Sequence, residues 1–359
     1  MGLLDEDAHV DWIARTHPEL ALSRERLPMP SFVAPVAVME ALEPKSWTRR
    51  LAENILQLRR SLAAPPALFL GTPFERYDQS AYLGGVDPQE IRHLALSAAR
   101  ALGLELCVLP NVAPDDPLLD AWLDAGFVAL ASFPDTRIDL APSDFEAHLA
   151  TLPQGDRSGI RRNERRFGSA GHHITRISDA APHAETLYHA YRTFFDRAKV
   201  HWVPYSLDYF KEITTQGEAV RLFGAFSREE ELIGFVLNFE DGAMVHTGRI
   251  GVAPAYHHRD RVYFALLYAA VRDALSLPRA RALSLEPTSY RTKRHLGAVK
   301  LPMVNLVLGT GPTWRALLAT LTPLGRWMLR HLEDERRLDR AFRLELGRMS
   351  RAWAMASAD

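Results

Sequence analysis

The sequence lacks several features that would assign it at once to a large class of proteins. Its only cysteine is Cys107, so no disulfide can form within the chain, and a reducing compartment is expected. No run approaches the roughly 20 apolar residues of a membrane-spanning helix. The opening MGLLDEDAHVDW has no apolar core of signal-peptide length. These absences predict a cytoplasmic protein that does not insert into membranes.

The sequence also lacks an excess of charge of either sign, and it lacks the common catalytic motifs. The net charge is −1, so any attraction to nucleic acid must come from a local patch. There is no G-x-S-x-G elbow, no Walker loop and no H-E-x-x-H. The pairs His172–His173 and His257–His258 have no spaced Cys, His or carboxylate residues around them, and we predict no metal site.

The composition and the order of patterns predict an α/β protein. The 359 residues, 47% of them hydrophobic, are typical of a globular chain of about two domains. DPQEIRHLALSAARALGL is predicted as a helix with Asp87 as N-cap, Pro88 at its first position and Gly103 after its end. ALFLG, ELCVLP (a run in which Cys107 is expected as a buried thiol), VALASF and TRIDL are predicted as strands. The first thirty residues are expected to form a loosely packed arm.

The second half repeats this layout in outline. SDFEAHLATL is predicted to begin it, with Ser143 and Glu146 as a capping box. AVRLFGAF, LIGFVLNFE and AMVHTGRIGV predict an antiparallel meander, followed by a helix, the strand ALSLEP, a short helix and the strand MVNLVLG. Each half ends in a short helix, a glycine and a last strand, which favours a duplicated unit. We predict lobes at 1–140 and 141–312 and a helical tail at 313–359.

The second half resembles the Gcn5-related N-acetyltransferases. The residues that carry the resemblance are the meander, the V-x-P turn at Val252 and Pro254, the long helix and the helix-glycine element RTKRHLGA. The segment from DLAPSDF to RRFGSAG resembles the linker of the tandem acyltransferases, which include the FemABX peptidoglycan enzymes, the cellulose-biosynthesis-type acetyltransferases and the aminoacyl-tRNA-dependent amide-forming enzymes. The resemblance implies two tandem lobes with mixed, splayed sheets flanked by helices. It also implies direct transfer of an acyl group to an amine of a small molecule or peptide.

The donor of that group is left open by the turn after Val252. The family cradles the pyrophosphate of coenzyme A on a glycine-containing turn, because backbone amides must approach the phosphates closely. Here the corresponding positions fall on His257, Asp260 and Val262. The resemblance therefore implies either acyl-CoA held partly by side chains or an aminoacyl-tRNA, and the alternative is a plain polar turn. The residues expected at the donor are Val252, His257, His258, Arg259 and Arg261.

A second basic segment is RSGIRRNERRFGSAG. On a helix Arg157, Arg161 and Arg165 share one face, and Arg162 lies on the neighbouring one. Like charges at this spacing repel, so the pattern favours a bound phosphate, for which the planar arginine fork is suited. A solvated helix face is the alternative.

Four residues are candidates for the chemistry of amide formation. His246, on the strand before the V-x-P turn, is the first candidate for the base that takes the proton of the amine. Glu286 ends a strand near the expected opening of the sheet and is the second. Lys293 is a candidate for stabilising a tetrahedral intermediate or binding phosphate, and Tyr290 for protonating the leaving group. Structural roles are the alternative for all four.

The acceptor is expected at a loop of the first half. GTPFERYDQSAYLGG is long, polar and rich in glycine and aromatic residues, which is typical of functional loops. Glu75, Arg76, Tyr77 and Asp78 are the candidate acceptor residues, with a surface loop as the alternative. For the whole chain the alternative function is a non-catalytic relative that binds a phosphorylated ligand.

Overall fold

The computed structural model describes residues 6–21, 27–36, 65–74, 79, 85–197, 203–287, 289–316, 318–319 and 322. In these residues no helix combines the length and the apolar character that crossing a bilayer requires. The candidate acceptor residues Glu75, Arg76, Tyr77 and Asp78 lie outside them, as does most of the predicted helical tail.

The first half begins with a helix and continues through four strands. Its elements are α1 (Glu6–Thr16), β1 (Ser31–Pro35), β2 (Pro66–Leu70), α2 (Pro88–Ala101), β3 (Leu106–Val112), α3 (Leu119–Asp124) and β4 (Val128–Asp139). The predicted start of α2 is confirmed, because Asp87 accepts a hydrogen bond from the amide of Gln89 at 3.0 Å. The predicted end is also confirmed, since Gly103 has a φ of +68°.

One prediction for the first half is wrong. VALASF and TRIDL were predicted as two strands, but β4 runs through both. Its register against the partner strand β10 (Val299–Gly309) shifts between Ser132 and Asp135, and Pro134 lies within that irregularity. A proline is tolerated there because a bulge leaves its position without a ladder hydrogen bond.

The second half contains the predicted meander and the long helix that follows it. Its elements are α4 (Phe145–Thr151), α5 (Gln154–Ser169), β5 (His173–Ile177), α6 (Ala184–Phe195), α7 (Leu207–Glu212), β6 (Val220–Phe226), β7 (Leu232–Asp241), β8 (Met244–Val252), α8 (Val262–Ser276), β9 (Ala282–Ser284), α9 (Tyr290–Arg294) and β10. The N-cap of α4 is Asp144, which accepts from the amide of Ala147 at 2.8 Å, and not Ser143 as predicted. The hydroxyl of Ser143 donates to the carboxylate of Asp144 instead.

The ten strands of the described residues form one mixed sheet, which confirms the predicted α/β class. The order is β1-β2-β3-β10-β4-β9-β8-β7-β6-β5. Only β2–β3 and β8–β9 are parallel pairs, and each is joined through a long helix, α2 or α8. Parallel neighbours need such a crossover connection, so the two β-α-β units are the repeated core of the two halves.

The last strand of each half lies in the other half of the sheet. β10 pairs with β3, and β4 pairs with β9, so that β4 and β10 meet at the centre. Ser132, the fifth residue of β4, pairs with Met303, the fifth residue of β10. The two halves are therefore related by a topological two-fold axis through this pair. The predicted boundary between 140 and 141 separates the halves in sequence, but it is not an edge of the sheet.

The N-terminal helix packs against the second half. Trp12 and Ile13 of α1 are 1% and 0% exposed, and the indole stacks on Tyr209 of α7 with ring centroids 4.6 Å apart. Burying a side chain such as Ile13 stabilises a fold by about 2 kcal/mol. The expectation of a loosely packed arm is thus wrong for residues 6–21.

Candidate active site

The sheet opens between β8 and β9. The two strands pair at only three positions, from Met244 opposite Ala282 to His246 opposite Ser284. β8 continues to Val252, whereas β9 ends at Ser284. Because β8 runs on without its parallel neighbour, the two strands separate at the carboxyl end of the pair, which is also the end where α8 begins, and ligands of open α/β sheets bind at such places.

An ion pair crosses this opening. The guanidinium of Arg249 on β8 donates to the carboxylate of Glu286, which follows β9, at 2.9 Å. The side chains are 19% and 16% exposed. The guanidinium also lies 4.7 Å from the ring centre of Tyr205, in the favourable cation–π range. Burial alone would lower the pKa of Arg249, but the surrounding tyrosines and Glu286 raise it above its usual value, so the charge is retained.

The backbone around the ion pair is irregular on both sides. The register of β8 against β7 shifts next to Gly248, where an added Cβ would lie 2.8 Å from the ring of Phe239. Glu286 has a φ of +59°, a left-handed conformation that costs roughly 1 to 2 kcal/mol for a residue with a Cβ. Strain of this kind is concentrated at functional sites.

A buried polar row lies beside the opening and joins both halves of the chain. Asp135 of β4 is fully buried, and its carboxylate accepts from the hydroxyl of Ser284 at 2.7 Å and from Nε of Arg137 at 2.7 Å. His246 is the strand partner of Ser284 and is 3% exposed. Burial raises the pKa of Asp135, and the hydrogen bond and charge of Arg137 oppose this shift.

Lys293 and Tyr290 hold the turn that carries Glu286. The ammonium of Lys293 donates to the carbonyl oxygens of Leu285, Glu286 and Pro287 at 2.6, 2.9 and 2.8 Å. Burial lowers the pKa of Lys293 to about 8, although the carboxylates of Glu286 and Asp135 oppose this change. Tyr290 donates its hydroxyl to the carbonyl oxygen of Pro134 at 3.1 Å. In this geometry both side chains bind backbone oxygens behind the opening.

The corresponding positions of the first half are apolar. Arg137, the tenth residue of β4, pairs with Ser284, and the tenth residue of β10 pairs with Cys107. Ser284 therefore corresponds to Cys107, and their parallel partners His246 and Leu68 correspond to each other. Cys107 is fully buried, and burial raises the pKa of its thiol to about 12. The polar row thus belongs to the opening of the second half.

The turn before α8 keeps a glycine-like conformation without glycine. Asp260 and Arg261 have φ values of +51° and +63°. No described side chain caps α8, and the amides of Tyr263 and Phe264 donate to no described acceptor. Such free amides at a helix N-terminus favour an anion. The carboxylate of Asp260 lies 3.3 Å from Nε2 of His172, and the guanidinium of Arg259, 3.9 Å away, partly balances its negative charge.

The side chains of the predicted donor residues point in different directions. Nε2 of His257 donates to the carbonyl oxygen of Val252 at 2.7 Å, and its Nδ1 faces the guanidinium of Arg197. Burial lowers the pKa of His257, the hydrogen bond to Val252 opposes this shift, and the charge of Arg197 adds to it. The ring closes the turn through its contact with Val252. His258, Arg259 and Arg261 are exposed around the N-terminus of α8.

The left-handed turn gives a direct prediction for stability. Arg261→Gly and Arg261→Ala remove the same side chain, but only glycine adopts a positive φ without strain. We expect the glycine variant to be more stable than the alanine variant by about 1 to 2 kcal/mol, measured by urea unfolding. Equal stabilities of the two variants would contradict the left-handed conformation at this position.

The predicted arginine cluster on α5 is divided by the structure. Arg157 donates to the carbonyl oxygen of Leu152 at 2.6 Å, and Arg161 pairs with Glu146 at 3.0 Å. Arg162 and Arg165 are exposed, and neither forms an ion pair with a carboxylate of the described residues.

Tyr268, in the middle of α8, is surrounded by polar side chains of α5. Burial raises its pKa, a hydrogen bond from Asn163 opposes this shift, the nearby Glu164 adds to it, and the charges of Arg261 and Arg162 oppose it.

Comparison with known proteins defines the class. Residues 155–294 match the family model described as "Acetyltransferase (GNAT) domain", a segment that runs from α5 to α9 and contains the opening between β8 and β9. Residues 155–294 are therefore similar in sequence to this family of domains, and the match covers the central part of the second half.

Solved structures give distant similarities in fold. The C-terminal domain (DUF2156) of a putative lysylphosphatidylglycerol synthetase from Agrobacterium fabrum is 11% identical, with a TM-score of 0.46 over 72% of this chain and 81% of that chain. FemX is 9% identical, with a TM-score of 0.47 over 70% and 83%. A tandem GNAT protein from the clavulanic acid biosynthesis pathway is 17% identical, with a TM-score of 0.40 over 68% and 76%. No curated protein matches the sequence.

Proposed function

We propose that the protein transfers an acyl group from acyl-CoA to the amine of a small molecule or peptide, at the opening between β8 and β9. The amine nitrogen attacks the acyl carbon, the C–N bond forms, and the bond from that carbon to the sulfur of the carrier breaks. The amine loses one proton, and the departing thiolate gains one. The Arg249–Glu286 pair across the opening is the observation that carries this proposal.

The donor phosphates are assigned to the N-terminus of α8. Three features support this: the left-handed turn at Asp260 and Arg261, the free amides of Tyr263 and Phe264, and the exposed Arg259. Because the turn keeps the shape that glycines would give it, backbone amides remain oriented toward an anion. This favours coenzyme A over a carrier held by side chains alone, and an aminoacyl-tRNA is the competing donor.

Glu286 is assigned as the base that takes the proton of the amine. Its carboxylate lies at the mouth of the opening and is held by Arg249, whereas His246 lies one step deeper, within the paired part of β8. A base must come within hydrogen-bond reach of the attacking nitrogen, and this condition favours Glu286. His246 is then a positioning residue next to Ser284. Lys293 and Tyr290 are proposed to fix the turn of Glu286.

The donor can be identified by thermal unfolding of the full chain with an acyl-CoA panel or with charged tRNA. Coenzyme A at a hundred times its dissociation constant is expected to stabilise the protein by about 2.7 kcal/mol. Arg259→Gln should reduce this protection, and Arg294→Gln, which removes an exposed charge on α9, should not. If only charged tRNA protects the protein, the donor is an aminoacyl-tRNA and not acyl-CoA. If neither acyl-CoA nor charged tRNA protects it, the proposed carrier site is refuted.

A further inference from the structure

A second cavity lies in the first half, away from the opening between β8 and β9. Its volume is about 260 Å³. The walls are α2, the start of β4, the end of β10 and the helical residues that follow β10. The polar side chains that line it are Arg92 and Arg100 of α2, Thr310, Arg315 and Thr322. A cavity of this size is at the lower limit for a ligand site and fits a small molecule.

Among the described residues, the charge around this cavity has one sign. Arg92, Arg100 and Arg315 line it together, no carboxylate of the described residues lines it, and none of the three forms an ion pair with a described carboxylate. Nε of Arg92 is buried and has no hydrogen-bond partner among the described residues. Arg315 donates from Nε to the carbonyl oxygen of Gly311 at 3.4 Å, and its terminal nitrogens bind no described residue. A buried donor without an acceptor is costly, so Arg92, with the exposed Arg100 and Arg315 beside it, favours an external anion.

The repeat of the fold shows that packing does not require these arginines. Counted from the first residue of each helix, Arg92 of α2 corresponds to Leu266 of α8, and Arg100 corresponds to Ala274. Leu266 and Ala274 are both fully buried. The same helix face is therefore apolar core in the second half and an arginine-lined cavity wall in the first half. Guanidinium groups on one wall of a cavity match the oxygens of a phosphate group by paired hydrogen bonds.

We infer that the cavity lined by Arg92, Arg100 and Arg315 binds a small phosphate-bearing molecule. Bound there, the phosphate bridges α2 and the helical residues 312–316, which otherwise present like charges to each other. The site is separate from the donor site at α8, because its walls come from the first half and from the end of β10. It does not depend on the proposed function.

Calorimetric titration of the full chain with inorganic pyrophosphate at constant ionic strength tests this site. The wild type should show a saturable binding event at millimolar concentrations or below. Arg92→Gln or Arg100→Gln should weaken it at least about tenfold, which is the loss of one charge-assisted hydrogen bond. Arg100 is exposed, so its replacement leaves the fold intact. Arg294→Gln, the matched control for charge, should leave the binding unchanged.

Hydrogen exchange provides a local readout for the same titration. Pyrophosphate should slow exchange in peptides that cover residues 92–100 and 310–318. Equal weakening by Arg294→Gln would show a general effect of charge and overturn the site. If binding is lost in Arg259→Gln but kept in Arg92→Gln, the pyrophosphate binds at the turn before α8. That result would also overturn the proposed cavity site. If the wild type shows no saturable binding of pyrophosphate, the proposed cavity site is likewise overturned.

Discussion

Replacing Glu286 with glutamine is expected to lower kcat for acyl transfer by about 10² to 10⁴-fold and to leave the KM for the donor nearly unchanged. Glutamine keeps the size of the side chain, and its carbonyl oxygen can still accept from Arg249. It cannot take a proton, so only the proton-transfer step is lost. In the proposed arrangement the donor binds at the N-terminus of α8 and does not contact this carboxylate, so its affinity should not change. Steady-state kinetics with both substrates varied measures the two parameters.

His246→Gln is the matched control for this prediction. If His246 only positions its neighbours, its replacement should lower kcat far less than Glu286→Gln does. The reverse order would make His246 the base and remove Glu286 from that role. Circular dichroism and thermal unfolding of both variants separate a loss of chemistry from a loss of fold.

The local parts of the fold were predictable because the signals are local. The cap of α2 depends on Asp87 and Pro88, and the three strands of the meander depend on strand-like runs separated by charged or glycine-containing turns. The exchange of β4 and β10 was not predictable in this way. The sequence of a strand determines which side chains face a core, but not which distant strand lies beside it. The packing of α1 was missed for the same reason, since Trp12 is buried by Tyr209, far away in sequence.

The site was predictable only in part. Glu286 was found because it ends a strand beside an expected opening. Arg249 was missed although it carried a signal: it is a charged residue between two glycines in the apolar strand HTGRIGV. Asp135 carried no signal, because it reaches Ser284 only through the exchange of β4 into the second half. Arg157 and Arg161 matched the spacing of a phosphate site, but backbone and carboxylate partners near α4 bind them.

Lys293 gives the second large expected effect, on the dependence of stability on pH. The folded protein holds this amine with a pKa of about 8, against an ordinary value of 10.5, because burial disfavours the charged form. Between these two values the unfolded chain carries the proton and the folded protein does not, so unfolding takes up a proton. Stability contributed by this group must then rise with pH, by about 1.4 kcal/mol per pH unit. Below pH 8 both states are protonated, and the contribution is constant.

The difference in unfolding free energy between the wild type and Lys293→Met isolates this contribution. Urea unfolding of both proteins at several values between pH 7 and pH 10 should give curves that separate with rising pH, by up to about 3 kcal/mol in favour of the wild type. The tyrosines Tyr191, Tyr263 and Tyr268, whose pKa values burial also raises, are present in both proteins and cancel in the difference. Parallel curves over this range would mean that the amine is not desolvated. The three carbonyl oxygens of the Glu286 turn would then be held by an ordinary, water-accessible lysine, and the turn would not be rigid enough to place the carboxylate at the opening.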